Sequence, residues 1–374
     1  DPDLIAVPDP ASFTPIPIVR EGLALVHCDV YVEGKLWPYA PRNILKATIK
    51  RAADAGFEAW AGAEVEYYLL QRNSDGTLSP ADQQDNAATP CYDVRGITRM
   101  YEHLTGISTA MNQLGWSNYA NDHEDGNGQF EQNFQYDEVL ITSDRVVTLR
   151  YLLAMSAEEH GMIATFMPKP FSDRTGSGLH MHLSLTSGGT PVFPTDTDDR
   201  GLGLSETAYH FIGGILEHAS ALQAVIAPTV NSYKRTRAVA GTSGATYAPN
   251  NPTFGGNDRT HYIRIPDNQR IELRGGSGCA NPYLAAAAAI GAGLYGIANK
   301  IDPGEMGAQE TSRPALPSTL LQAVEKLEAD PVMMEVLDVA GAGVSNYYAD
   351  IKRDEFYSYH SQISAWEIDE YLPA

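Results

Sequence analysis

The chain has 374 residues, 43% of them hydrophobic and 20% charged. That is enough apolar content for one large domain or two ordinary ones, and too much for a disordered polymer. The formal net charge of −21 repels phosphate backbones and anionic lipid, so no nucleic acid and no membrane partner is expected, whereas metal cations are gathered.

Cys28, Cys91 and Cys279 are too few and too scattered for a disulfide framework or a CxxC metal site. They fit a reducing cytoplasm, with the ordinary role of small buried hydrophobes. The chain starts at Asp1 in mid-pattern, and an N-terminal part is expected to be missing. Residues 1–40 read as short strands and turns broken by prolines. A helix is expected over 43–55, with Pro41 near its start and Gly56 just past its end.

The stretch AEVEYYLL at 63–70 reads as a strand. Strand side chains alternate, so Glu64 and Glu66 share one face while Val65, Tyr67 and Leu69 point into a core. If the glutamate face is solvated, it is an ordinary polar edge. If it lines a cleft, two adjacent anions need a cation. Residues 73–96 look like a polar surface loop, followed by a helix at about 98–114. In GNGQFEQNFQYD, Phe130, Gln132 and Phe134 alternate with Glu131 and Asn133, as in a strand. A helix over 143–160 capped by Ser143 follows, then a strand in GLHMHLSL and a helix over about 205–226. Residues 231–260 look irregular, 261–274 strand-like and arginine-rich, and 282–374 mostly helical. The run LAAAAAIGAGLYGIA at 284–298 is shorter than the ~20 residues that span a bilayer, and reads as a buried, closely packed helix. Strands and helices mix without a regular βαβ alternation, which points to an α+β fold. No GxGxxG or GxxxxGK[ST] occurs, so any nucleotide is held neither by a Rossmann unit nor by a P-loop.

Four further places repeat the oddity at 63–70. HEDGNGQFE sets Glu124 and Glu131 either side of a glycine turn. GSGLHMHLSL puts His180, His182 and Ser184 on one strand face. RIELR does the same for Arg270, Glu272 and Arg274, and NSYKRTR is a basic knot. Singly, each has a bland reading: a hydrogen-bonded histidine, a surface charge ladder, a solvated basic patch. Together, Glu64, Glu66, Glu124, Glu131, Glu272 and His180 form an oxygen-rich set with one imidazole. Such a set suits Mg²⁺ or Mn²⁺ better than zinc. Paired ions with arginines nearby are the equipment of phosphoryl transfer. A single-zinc hydrolase using His180 and His182 remains the competing chemistry.

The pieces AEVEYYLL, HEDGNGQFEQNF, FMPKPFSDRTGSGLHMHLSL, NSYKRTR, RTHYIRIPDNQRIELR and ANPYLAAAA resemble, in this order, the glutamine synthetase superfamily. The resemblance implies a catalytic domain over 39–374, with a curved antiparallel sheet forming part of a barrel among helices. Residues 1–38 would end a small N-terminal β-grasp domain. It implies ATP and two or three Mg²⁺ or Mn²⁺ ions per site. Glu66, Glu124 and Glu131 would hold one ion; Glu64, His180 and Glu272 would hold a second on the nucleotide phosphates. Arg235 would take the α-carboxylate of glutamate and Gly176 would offer its carbonyl to the amino group. Arg259 and Arg264 would meet phosphate, Arg274 the γ-carboxyl, and His182, Ser184 and Arg270 the nucleotide. Glu131, Arg259 and Arg274 would be the catalytic groups. The implied assembly is a homododecamer of two stacked hexamers with active sites between subunits.

The departures from the family pattern bear on the amine. No Asp or Glu occurs between Lys234 and Asp258, where glutamine synthetases carry a flap glutamate that serves ammonium. A compact cation entering such a pocket lacks charge compensation. An alkylamine regains binding through its carbon, about 0.8 kcal/mol per buried CH₂. SGATYAPN and FMPKPFSDRTGSG are also similar to segments of γ-glutamylmethylamide synthetases, so methylamine or another small alkylamine is the expected nucleophile, with Tyr247 bordering its pocket. Ammonium, polyamine or ethanolamine ligation and a non-catalytic relative are the alternatives. Thr175 stands where the family usually has Asn, and NKIDPGEMG at 299–307 lacks the tyrosine that adenylylated members carry.

Overall fold

The computed structural model describes residues 3–236, 247–307 and 313–372. Its centre is an open sheet. Seven strands form its main path: β1 (Glu58–Arg72), β2 (Asn118–His123), β3 (Gln129–Phe134), β4 (Leu179–Ser187), β5 (Phe254–Gly255), β6 (Ile263–Asp267) and β7 (Arg270–Leu273). Their spatial order is β5-β6-β7-β4-β1-β3-β2. Neighbours run antiparallel except β5 and β6, which are parallel. With helices α1 (Pro41–Asp54), α2 (Val139–Glu159), α3 (Glu206–Glu217) and α4 (Pro282–Asn299) packed around it, the architecture is the expected α+β class.

β1 runs beyond the 63–70 expected. The alternation continues through Ala59, Ala61 and Ala63, which join Val65, Tyr67 and Leu69 in the core. Burying that face holds the strand in register, because a one-residue slip would put its glutamates inside. α4 is as buried as its composition implies, started by Asn281, whose side chain accepts from the Tyr283 and Leu284 amides. It crosses α3 at Gly214 and Gly296. A Cβ on Gly214 would stand 2.1 Å from the Ala292 carbonyl oxygen, and one on Gly296 2.2 Å from that of His210. Among the described residues no helix is long and apolar enough to cross a membrane.

Some boundaries differ from expectation. α2 begins at Val139, and Ser143 lies inside it, its hydroxyl donating to the Val139 carbonyl at 2.8 Å instead of capping the start. The buried Val139 and Thr142, the latter bonded to the Ala61 carbonyl, draw the extra turn onto the sheet. The helix expected at 98–114 is two, Val94–Arg99 and Tyr101–Gln113, and that at 205–226 is α3 plus Ala219–Ile226. The second break falls at His218, whose Nδ1 lies 2.7 Å from Asp330. Residues 73–96 are not a solvated loop throughout, since Asp82 and Asp85 are buried. The three cysteines are half-buried and unpaired.

The N-terminal stretch forms a small sheet from Ile5–Pro8, Cys28–Val32 and Lys35–Leu36. It is tied to the rest through Arg42 on α1. That buried guanidinium reaches Asp29 at 2.6 Å, Asp9 at 2.8 Å and Asp144 of α2 at 2.9 Å. Tyr283 of α4 donates to the same Asp144 at 2.6 Å.

Candidate active site

Strand register brings the expected site residues together. Across β1 and β3, Glu66 faces Glu131; across β1 and β4, Glu64 faces His180; across β4 and β7, His182 faces Glu272, which on its other side faces Arg264 of β6. Side chains opposite each other on neighbouring strands are about 5 Å apart at Cβ, so five strands converge on one patch. The patch floors a cavity of about 800 Å³. Every candidate site residue except Glu272 lines it. Glu272 lies beneath, fully buried and gripped by Arg274 and, at 2.7 Å, by Arg264.

The acidic cluster is dense. His180 Nδ1 lies 2.9 Å from Glu64 Oε2 and 3.7 Å from Glu272, and its Nε2 lies 3.5 Å from Glu66. His182 Nε2 meets the other Glu64 oxygen at 2.9 Å, while its Nδ1 accepts from Arg270 Nε at 3.0 Å. Burial would raise the Glu64 pKa, but the two histidines outweigh it and hold that carboxyl well below its usual range. Glu272 is likewise lowered, since His180 and Arg274 outweigh burial. Glu124 and Glu131 go the other way. Burial first, then the neighbouring carboxylates, pushes Glu124 up to about 8 and Glu131 well above the carboxylate range.

Five buried or half-buried glutamates, two of them with pKa values raised by burial and by the carboxylates beside them, mark a site that accommodates added positive charge. The donor set fits. Two groups of three ligand atoms, Glu64–Glu131–His180 and Glu64–His182–Glu272, each lie within 4.8 Å of one another and share Glu64; neither is one of the expected trios, and Glu66 and Glu124 fall in neither. Oxygen donors with an imidazole suit Mg²⁺ or Mn²⁺. His180 and His182 fall in different groups, which does not suit one zinc ion held by both.

Around the cluster stand the arginines. Arg235 is only 4% exposed and its Nη1 has no hydrogen-bond partner among the described residues. A buried guanidinium nitrogen without an acceptor is costly, and burial lowers its pKa. It is poised for an anion. Arg274 is anchored by Nε on the Arg259 carbonyl at 3.0 Å. Arg259 reaches the Tyr92 hydroxyl at 3.4 Å. Of the NSYKRTR knot, Lys234 is exposed, Arg235 is buried, and Arg237 lies outside the described residues. So do residues 237–246 of the acid-free segment, whereas Tyr247 is described at the cavity wall.

Sequence reasoning missed several residues. Trp60 lines the cavity beside Tyr119 and Tyr136; its parity with Glu64 and Glu66 on β1 was the available signal. Asp85 gave none. It comes from the supposed surface loop and clasps the glycine turn, accepting from His123 at 2.8 Å, Asn127 at 3.1 Å and the Gly128 amide at 2.5 Å. The Gly128 φ of +82° is one glycine adopts freely.

Residues 38–371 match the family described as glutamine synthetase, catalytic domain. A glutamine synthetase of Rhizobium meliloti is 41% identical over 374 residues, covering 98% of this chain and 84% of the relative. A glutamate–methylamine ligase of Methyloversatilis universalis is 38% identical over 383 residues, covering 100% and 85%. Among solved structures, an apo GmaS without ligand aligns with a TM-score of 0.92 at 42% identity, covering 100% of this chain and 86% of that one; a GmaS/ADP complex gives the same figures.

Proposed function

The chain belongs to the glutamine synthetase family and is an ATP-dependent glutamate–amine ligase; from that premise we propose that its amine is methylamine or another small alkylamine. The observation that carries the amine is the stretch from Arg235 to Asn257, which holds no carboxylate. The resemblance to a glutamate–methylamine ligase and to GmaS, a γ-glutamylmethylamide synthetase, supports it.

On this reading Arg235 receives the α-carboxylate of glutamate on its unpartnered Nη1, and the Gly176 carbonyl accepts from the α-ammonium group. Arg274 holds the γ-carboxylate. An oxygen of that group attacks the γ-phosphorus of ATP, the bond to the bridging oxygen breaks, and ADP leaves. Arg259 and Arg264 meet the charge on the transferred phosphoryl group. His182, Ser184 and Arg270 lie along the nucleotide. The amine nitrogen then attacks the acyl carbon, loses a proton and expels phosphate, leaving γ-glutamylmethylamide. Tyr247 borders the amine. Mg²⁺ or Mn²⁺, held by Glu66, Glu124 and Glu131 and by Glu64, His180 and Glu272, would neutralise the repulsion between the two anionic substrates. A homododecamer with shared active sites and a cytoplasmic setting complete the reading.

Ammonium is the second reading, because relatives at 41% identity carry the name glutamine synthetase. Initial rates of phosphate release with methylamine, ethylamine and ammonium, side by side, decide. A kcat/KM for methylamine at least about tenfold above that for ammonium is expected, the worth of roughly 1.4 kcal/mol of transition-state discrimination. Ammonium ahead of both alkylamines sinks the alkylamine assignment and leaves the ligase standing.

A further inference from the structure

Gln129 is fully buried, opens β3 and shares the strand face of Glu131. Its side chain touches three separate parts of the site. The amide oxygen accepts from the Gly126 backbone N–H at 3.0 Å, inside the glycine turn that carries Glu124. The amide nitrogen lies 3.2 Å from Glu66 Oε2 on β1, 3.2 Å from the Gly176 carbonyl oxygen and 3.2 Å from Ser177 Oγ. An amide nitrogen has two protons to donate, so three acceptors compete for two. Glu66 Oε2 also takes the Gly178 amide at 2.7 Å. There is no room for the turn to drift. A Cβ on Gly126 would stand 2.0 Å from the Tyr68 hydroxyl and 3.0 Å from the Gln129 oxygen, and that hydroxyl donates to the Thr175 carbonyl at 2.5 Å.

We propose that Gln129 is a positioning residue that couples the divalent-cation site to the glutamate site. Loading the Glu66, Glu124 and Glu131 carboxylates draws electron density and position at Glu66 and at the glycine turn. The same planar amide holds both, so its remaining proton is steered to the Gly176 carbonyl and fixes where that oxygen points. Cation binding thereby sets the acceptor that meets the α-ammonium group of glutamate. By linkage, glutamate tightens the cation in equal measure. Ser177, a hydroxyl able to rotate, takes up the spare contact. The inference rests on the assignment of Gly176 to glutamate made above.

Calorimetric titration of the full-length protein with glutamate, with and without saturating Mn²⁺ and without nucleotide, tests it. The wild type is expected to bind glutamate roughly tenfold more tightly with Mn²⁺ than without, a typical coupling. In Gln129→Met, similar in length but without hydrogen bonds, the ratio falls below about twofold. The KM for glutamate rises more than kcat falls. Gln129→Asn keeps the amide but cannot span the three contacts, and is expected to behave alike; it carries the test if the Met variant does not fold, as judged by its melting curve. A folded variant that keeps the wild-type ratio overturns the coupling. So does a wild type that binds glutamate equally well with and without the cation. A wild type that binds no glutamate in either condition overturns the assignment of Gly176 to a glutamate site formed without nucleotide, and the coupling that rests on it.

Discussion

Glu66 and Glu131 face each other across paired strands, both 6% exposed, and no lysine or arginine among the described residues forms an ion pair with either, His180 alone lying 3.5 Å from Glu66. Two carboxylates so placed repel in a poorly screened setting, and the fold keeps them together only because burial of Tyr67, Phe130 and Phe134 behind them fixes the register. Function and stability therefore pull in opposite directions at this pair.

Glu131→Gln removes one side of that repulsion. The chelated variant is expected to melt above chelated wild type, while its Mn²⁺-induced rise in melting temperature shrinks and its turnover falls at least about 100-fold, beyond what a merely supporting residue costs. Thermal melts with EDTA and with Mn²⁺ check this. An undiminished Mn²⁺ response in the variant would remove Glu131 from the ligand set.

Arg235→Lys keeps the charge and loses the fork. If the free Nη1 takes the α-carboxylate of glutamate, one charge-assisted hydrogen bond is lost, about 1.5–3 kcal/mol. The KM for glutamate should rise between about 10-fold and 100-fold, with ADP binding little changed. Isothermal titration with each ligand separates the two; equal losses for both would place Arg235 elsewhere in the mechanism.

Acid should loosen the core at His103. The ring is 1% exposed between Ser156 Oγ and the Tyr67 hydroxyl, and burial pushes its pKa from 6.5 down to about 4. Between those values the unfolded chain binds a proton that the folded chain refuses. Stability from this group is thus complete above pH 6.5 and is lost as pH falls toward 4, by on the order of 3 kcal/mol. Urea midpoints at pH 7.5 and 5.0 should differ, and Gln in place of His103 should flatten the difference. Parallel pH curves for the two proteins would refute the assignment.

Gly214→Ala tests the helix crossing. The added methyl would meet the Ala292 carbonyl oxygen at 2.1 Å, a backbone atom that yields only if α3 and α4 separate. A loss of about 1–3 kcal/mol is expected, visible as a lower melting temperature with unchanged substrate KM values. Full wild-type stability would mean the helices part freely.

Much of the site was legible because strand parity is rigid. Glu64 with Glu66, His180 with His182, and Arg270 with Glu272 and Arg274 were assigned to common faces by spacing alone, and each trio or pair lines or underlies one cavity. What parity cannot give is register between strands far apart in sequence. The approach of β4 to β7 that sets His182 against Glu272 joins positions about ninety residues apart, a contact paid for by the core as a whole. Helix ends were less legible for the opposite reason. Ser143 has the chemistry of a cap, yet Val139 gained more by packing on the sheet than a cap would contribute, typically ~1 kcal/mol. Asp85 was invisible because nothing local marks a polar loop residue as the clasp for a turn that follows it in sequence.

The knot around Arg42 gives the first forty residues a different standing from a tail. Trimming past Asp9 would remove one of three carboxylates from this guanidinium and leave Asp29 and Asp144 to hold it, whereas removing the chain through Asp29 would leave Asp144, which also accepts from Tyr283, as its one remaining carboxylate among those three. A shortened version made for crystallisation or display should therefore keep Asp29, which makes the shorter of the Arg42 ion pairs that fasten this stretch to α1.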